Sequence, residues 1–192
     1  MNLNVKTKKL FGEEEFSNGM KLFDFWSWAH SDLMNNAERG KLAEFIVSTA
    51  LGCKFPYRVE WDAYDLLTED GIKIEIKSSA YLQTWKQTQY SKIIFGISPT
   101  KYWDEETHKY SSEKVRRSDF YVFCLLTCKD PQKVNPLELS QWDFYVVKTS
   151  DIDINLKSQS SITLNSLIKL PHIKTDYYGL KNALQNLNTM KN

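Results

Sequence analysis

Residues 59–79, VEWDAYDLLTEDGIKIEIKSS, decide the fold of this chain. Isoleucines alternate with charged residues along the second half, a pattern typical of a strand that buries one face. Gly71 occupies the third place of a possible three-residue hairpin loop, where a left-handed backbone is favoured. The stretch therefore predicts two antiparallel strands around residues 69–71, with Leu66 paired with Ile74.

This register places two carboxylates opposite each other. Asp65 faces Glu75, and Lys77 follows on the same face of the second strand. A two-residue turn at residues 70–71 would instead place Asp65 opposite Ile76 and mix the polar and apolar faces, so we disfavour it. Like charges directly opposite on neighbouring strands are destabilising, which indicates that a cation bridges them.

The expected cation is Mg²⁺ or Mn²⁺. Both prefer oxygen ligands, retain water, and accept phosphate oxygens from a substrate. The ammonium of Lys77 can orient or help deprotonate water and can stabilise developing negative charge. Two carboxylates, a lysine and a divalent cation are the components of phosphodiester hydrolysis.

Helical and strand patterns flank the hairpin. The sequence predicts helices over 22–33 and 37–51, with Gly52 ending the second one. Further strands are predicted over 92–97, 120–126 and 142–147, and further helices over 164–170 and 178–187. Strands mixed with helices predict an α/β (α+β) fold around one mixed central β-sheet flanked by α-helices.

Composition limits the class of protein. The 192 residues are 42% hydrophobic and 26% charged, as in globular proteins. The formal net charge of +1 argues against a protein that coats nucleic acid by bulk charge, but it permits a local basic groove. The longest apolar run is far shorter than a membrane span, so we expect no membrane partner. Three cysteines without a CxxC pair indicate reduced thiols and a cytoplasmic location.

The ordered set of charged residues resembles a known family. Glu44 on the preceding helix, Asp65, and Glu75-Ile76-Lys77 look like the PD-(D/E)xK nuclease superfamily. The wider stretch RGKLAEFIV…DAYDLL…GIKIEIKSSAYLQ also resembles small stand-alone members of that group. The resemblance covers residues 37–126 and implies a restriction-endonuclease-like fold. One departure is Tyr64, which stands where the superfamily motif has proline.

The resemblance also implies roles for the residues around the strand. Asp65 and Glu75 would be direct metal ligands, together with the backbone carbonyl of Ile76. Lys77 would position the nucleophilic water. Glu44 would hold a second metal ion or a water on the metal.

Gln83 matches a glutamine that often follows the ExK strand, and the resemblance implies that it contacts substrate or a water on the metal. The sequence leaves simpler interpretations open. Charged alternation at residues 73–77 is also typical of a solvated strand face, and Glu44 can pair with Lys41 instead. Asp62 competes with Asp65, but its place three residues earlier points it to the other face.

The aromatic residues after the site have two interpretations. Trp85 and Tyr81 can stack on bases, although packing is the expected role of most aromatic residues.

These observations predict one nuclease-like domain over residues 1–192. It has a lead-in over 1–20, a catalytic core over 37–126, and a C-terminal strand and helices over 127–192. We expect a Mg²⁺- or Mn²⁺-dependent endonuclease that acts on DNA in preference to RNA, with a homodimer or an accessory protein as possible further partners. The alternative is a catalytically silent nuclease-fold module that binds nucleic acid or a protein.

Overall fold

A computed structural model of the chain describes residues 10–53, 58, 64–101, 103–104 and 109–189. The helices are α1 (Leu22–His30), α2 (Asn36–Leu51), α3 (Thr149–Leu156), α4 (Leu164–Leu167) and α5 (Leu180–Thr189). The strands are β1 (Leu66–Leu67), β2 (Lys73–Ala80), β3 (Ile94–Gly96), β4 (Trp103–Asp104), β5 (Lys109–Tyr110), β6 (Phe120–Leu126), β7 (Trp142–Lys148), β8 (Ser161–Thr163) and β9 (Ile173–Thr175).

Five of the strands form one mixed sheet in the order β1-β2-β6-β7-β9. The β2–β6 pair is parallel, and the other three pairs are antiparallel. Every residue of the central strand β6 is buried, as expected for an apolar run that is covered on both faces. The predicted class, a mixed sheet flanked by helices, is confirmed.

Each face of the sheet has its own hydrophobic core. Alternate residues of β6 contribute to the two cores, because successive side chains of a strand point to opposite faces. On one face the sheet packs against α2 and α5, and Ile74 and Ile76 of β2 belong to this core. On the other face it packs against residues of α3, α4, β3 and β8.

Helix α2 begins and ends as the sequence predicts. The side chain of Asn35 accepts a hydrogen bond from the backbone N–H of Glu38, and Gly52 adopts a left-handed conformation with φ 75°. Helical spacing in the sequence predicts that the apolar face consists of Leu42, Phe45, Ile46, Thr49 and Ala50. This prediction is partly wrong, because Phe45 is 66% exposed whereas Ala43 and Val47 are fully buried. The buried face is therefore rotated relative to the predicted one.

Helix α1 also forms near its predicted position, but it ends at His30 and buries none of its residues. The apolar spacing that predicts this helix does not result in core packing. None of the helices in the described part of the chain is long and apolar enough to cross a membrane.

The hairpin has the predicted register. Leu66 pairs with Ile74, and Gly71 closes the loop at φ 78°. The ladder is shorter than predicted, because β1 contains only two residues. This early end of β1 shapes the site described below.

We expect Gly71→Ala to lower the free energy of unfolding by about 1 kcal/mol, because a Cβ is strained at this positive φ. Gly40→Ala is the matched control. Gly40 lies inside α2, and nothing within 4 Å would meet an added Cβ, so alanine should raise stability by about 0.5–1 kcal/mol. Urea denaturation of both variants checks the opposite signs, and a shift of equal sign would contradict the assigned turn conformation.

Candidate active site

Strand β2 carries the acid–lysine pair at the centre of the candidate site. Glu75 and Lys77 are two residues apart and therefore lie on the same face, opposite to the buried isoleucines. The side chains are 21% and 33% exposed, and Lys77 Nζ lies 2.5 Å from Glu75 Oε1. The strand thus holds a charged pair at the boundary between the core and solvent.

Asp65 reaches this pair from the edge of the sheet. Its backbone N–H donates to the carbonyl of Ile74 at 3.0 Å. Its Oδ2 accepts a hydrogen bond from the backbone N–H of Ile76 at 2.7 Å. The carboxylate therefore occupies the place that the next residue pair of the hairpin would have taken.

The same hydrogen bond indicates where the carbonyl of Ile76 points. The N–H and C=O groups of one strand residue lie on the same edge of the strand. Because the N–H of Ile76 points to Asp65, the carbonyl of Ile76 lies on that edge too. The predicted donor set of Asp65 and Ile76 is thus brought to one side of β2.

Glu44 lies on α2, with its side chain 13% exposed, and Arg58 holds it. The Arg58 guanidinium donates from Nε to Oε2 and from Nη2 to Oε1 of Glu44, the second bond at 3.0 Å. Lys41, the partner considered from the sequence, instead bonds to Glu38 at 3.0 Å. No local spacing in the sequence connects Arg58 with Glu44, so this contact cannot be predicted from the sequence.

Electrostatic interactions connect all four predicted charged residues. Burial raises the pKa of Glu75, and the nearby charge of Asp65 raises it further. Burial also raises the pKa of Glu44, despite the hydrogen bond from Arg58, and Asp65 adds to this rise.

For the pKa of Lys77, burial and the neighbouring charges act in opposite directions. Burial acts to lower its pKa, but the attraction of Glu75 and of the two further carboxylates outweighs that effect, and the pKa is raised. Lys77 is therefore a cation at neutral pH. Four charged groups, three of them acids, therefore share one partly buried region.

Gln83 belongs to a different set of contacts. Its Nε2 donates to the carbonyl of Ala80 at 2.9 Å, and its Oε1 accepts from Arg39 at 3.3 Å. Its backbone N–H donates to Gln87 Oε1 at 2.6 Å. Among the hydrogen bonds of the described residues, none joins Gln83 to the four charged side chains.

Tyr121 is a buried neighbour of the site. It pairs with Glu75 across the parallel strands β2 and β6, and it is 4% exposed. Burial raises the pKa of its phenol, and the charge of Glu75 adds to that rise. The apolar run around Tyr121 predicts only a buried strand, so no sequence signal marks it as a neighbour of the acids.

The arrangement fits a divalent cation with few protein ligands. Within the part of the chain that is described, no three His, Cys, Asp or Glu side chains converge to hold a metal ion. The oxygen donors that lie together are the carboxylates of Asp65 and Glu75 and the carbonyl of Ile76, and oxygen donors suit Mg²⁺. Asp62, the alternative acid, lies outside the described residues.

Comparison with known families places this site within a matched region. The family model for bacteriophage T4 endonuclease IV matches residues 23–166, well over half of the chain. The chain belongs to the bacteriophage T4 endonuclease IV family. No curated protein matches the sequence.

The endonuclease IV match includes α2, the hairpin and β2, and so contains Glu44, Asp65, Glu75, Lys77 and Gln83. The expectation of a nuclease is confirmed by this membership. The PD-(D/E)xK assignment and the roles of the individual residues stay predictions.

Asp65→Asn provides a test of the charge balance in metal-free protein. The pKa values of Glu75 and Glu44 are raised on folding. The contribution of these two acids to the free energy of unfolding therefore falls as the pH rises above their ordinary pKa of 4.5. Removing Asp65 weakens that fall, while an asparagine oxygen can still accept from Ile76. At pH 7 we expect the free energy of unfolding of the variant to equal that of the wild type or to exceed it by up to about 1 kcal/mol. At pH 5 the difference should be smaller.

Thermal melts with a chelator at both pH values measure this trend. Asp143→Asn is the control, because it removes a favourable ion pair with Lys174 at 2.8 Å. Asp143→Asn should lower the melting temperature at pH 7, opposite in sign to the expected effect of Asp65→Asn. A clearly lower melting temperature of Asp65→Asn at pH 7 would show that Asp65 acts mainly as a structural residue.

Proposed function

We propose that the chain is a metal-dependent endonuclease that hydrolyses phosphodiester bonds in DNA. Its active site would consist of Asp65, Glu75 and Lys77, with Glu44 as a further acid. The observation that carries this proposal is the gathering of Asp65 beside the Glu75–Lys77 pair on β2, inside the region matched to an endonuclease family. The resemblance to the PD-(D/E)xK superfamily supports the same assignment.

Asp65, Glu75 and the carbonyl of Ile76 would hold one Mg²⁺ or Mn²⁺. When bound, such an ion supplies positive charge to the scissile phosphate and lowers the pKa of water. The protein residues set the place of that charge, because the hydrogen bond from Ile76 fixes the Asp65 carboxylate at the strand edge. Glu75 is oriented by its contact with Lys77.

Lys77 acts as a cation in this proposal. In the metal-free protein the neighbouring carboxylates raise the pKa of Lys77, so its ammonium is a hydrogen-bond donor at neutral pH. It can donate hydrogen bonds to the attacking water or to a non-bridging phosphate oxygen, and its charge offsets the negative charge that develops there. Water attacks phosphorus in line with the leaving oxygen, so one P–O bond forms as the bond to the leaving oxygen breaks. The attacking water loses a proton to solvent, and the leaving oxygen takes one up from solvent.

Arg58 controls the availability of Glu44. Both oxygens of Glu44 accept from the guanidinium, so the charge of Glu44 is already partly offset and only its remaining lone pairs are open to a cation or a water. A phosphate group is the natural competitor, because guanidinium groups bind carboxylates and phosphates in the same bidentate geometry. Substrate binding can therefore release Glu44 into the site.

The alternative function is a silent module of the same family that binds nucleic acid or protein without turnover. One observation favours it: the Glu75–Lys77 and Glu44–Arg58 pairs already neutralise two of the three acids. Metal binding separates the two functions, because a binding module needs no cation at Asp65 and Glu75.

Lys77→Ala should reduce cleavage of plasmid DNA in Mg²⁺ or Mn²⁺ by at least about a hundredfold, because it removes a preorganised cation from the transition state. Lys73→Ala is the matched control, since Lys73 lies on the same face of β2 but is exposed. The control should cleave at the wild-type rate. Wild-type cleavage by Lys77→Ala would remove this lysine from the mechanism.

Metal linkage gives a second test that does not depend on turnover. Mg²⁺ or Mn²⁺ at a hundred times its dissociation constant should stabilise the wild type by about 2.7 kcal/mol. Glu75→Ala should abolish most of that shift, because it removes one of the two carboxylates. Calorimetric melts with and without metal measure the difference, and a wild type that shows no shift would favour the silent module.

A further inference from the structure

A stretch without acidic residues follows the candidate active site. Residues 78–102 contain three lysines and neither aspartate nor glutamate, although the whole chain has 24 acidic residues among 192. An even distribution would place about three acids in a stretch of this length. The near-neutral net charge of the chain therefore conceals a local excess of positive charge immediately after Lys77.

Within this stretch, residues 81–91 form a closed loop, referred to below as the 81–91 loop. The backbone N–H of Ser91 donates to the carbonyl of Tyr81 at 2.9 Å and so joins the two ends. Gln87 fills the interior. Its Oε1 accepts from the backbone of Gln83 at 2.6 Å, and its Nε2 donates to Ser91 Oγ at 3.0 Å. Short loops with joined ends and an internal hydrogen-bond network are compact Ω-loops, which are frequently functional.

Gln83 attaches this loop to helix α2. Arg39, which is 2% exposed, donates to Gln83 Oε1 at 3.3 Å and to the carbonyl of Met34 at 2.8 Å. The base of the loop is therefore fixed to the helix that also carries Glu44. The loop keeps a defined position relative to the candidate site.

The outer surface of the 81–91 loop is aromatic and basic. The side chain of Trp85 is 55% exposed, contrary to the expectation of packing, and Lys86 beside it is exposed too. Lys129 lies over the rings of Tyr81 and Tyr90, with Nζ at 4.3 and 5.6 Å from their centroids. The side chain of Gln87 thus points into the loop, whereas Trp85 and the adjacent Lys86 are exposed to solvent.

Exposed aromatic rings among cations are typical of surfaces that bind nucleic acid. The rings stack on bases or sugars, and the cations contact phosphates. Trp28 on α1 is a second strongly exposed tryptophan among the described residues, and its neighbours in sequence include the acids Asp24 and Asp32. Because a polyanion is attracted by lysines and repelled by acids, the 81–91 loop suits the binding of a nucleic acid better than α1 does.

We propose that the 81–91 loop is the surface on which the DNA substrate docks beside the cleavage site. Trp85 packs its indole against a nucleoside of the substrate, while Lys86 and Lys92 contact flanking phosphates. The loop begins four residues after Lys77, about 13 Å further along the strand direction, which suits nucleotides a few positions away from the scissile phosphate. This inference rests on the proposed nuclease function and assigns residues that the catalytic site does not use.

Equilibrium binding of a fluorescently labelled DNA oligonucleotide tests this role. The assay uses the full chain with Lys77→Ala as the parent, so that cleavage does not interfere with binding. Adding Trp85→Ala should raise the dissociation constant about tenfold, which is typical of the loss of one stacking ring. Adding Trp28→Ala, which removes the same side chain from an acidic surface, should change it less than twofold.

Salt dependence tests the lysines independently. Adding Lys86→Ala or Lys92→Ala to the same parent should reduce the slope of log affinity against log salt by about 0.7–0.9, because one phosphate contact is lost. Lys181→Ala on α5 is the control and should leave the slope unchanged. Thermal melts of each variant establish that the loss of binding does not come from unfolding.

The outcomes separate the two proposals. A folded Trp85→Ala variant that binds DNA as tightly as the parent overturns the docking surface, whatever the catalytic result. Wild-type cleavage by Lys77→Ala overturns the lysine mechanism, and the same binding comparison is then made with a chelator in place of divalent metal. An equal loss of affinity at Trp85 and Trp28 would show a general aromatic effect and would also contradict the assignment of the 81–91 loop.

Discussion

The hydrogen bond from the backbone N–H of Ile76 to the carboxylate of Asp65 determines the architecture of the candidate site. It replaces the next rung of the hairpin ladder with a side-chain contact, so β1 ends after two residues. That early end leaves an edge of β2 where a carboxylate and a backbone carbonyl lie together. A longer hairpin would have paired this edge with backbone and would have turned Asp65 away from it.

The site places like charges together at a cost in stability, and the rest of the sheet compensates for that cost. Three acids and Lys77 share a partly buried region in which the pKa of Glu75 is raised. Strand β6 beside it is buried along its whole length and joins two cores. Rigid packing around a locally unfavourable charge arrangement is a common property of functional sites, because the arrangement is maintained for a ligand rather than for stability.

Local signals predicted the framework well. The hairpin register, the left-handed Gly71, the caps of α2 and the buried strand β6 all follow from residues close in sequence. The sequence does not predict features that depend on contacts between residues far apart in the chain. No spacing predicts that Arg58 engages Glu44, and strand β9 is too short to show periodicity. The exposure of Phe45 shows the same limit, since helical spacing identifies an apolar face but not what covers it.

Helix α1 has a consequence for the distribution of stability along the chain. None of its nine residues is buried, so its backbone hydrogen bonds depend on local helix formation, which is marginal at this length. The amides of α1 therefore exchange with solvent deuterium through local fraying. Those of β6 exchange only through openings that disrupt both cores. Among the described elements, α1 is accordingly more open to proteolysis than β6.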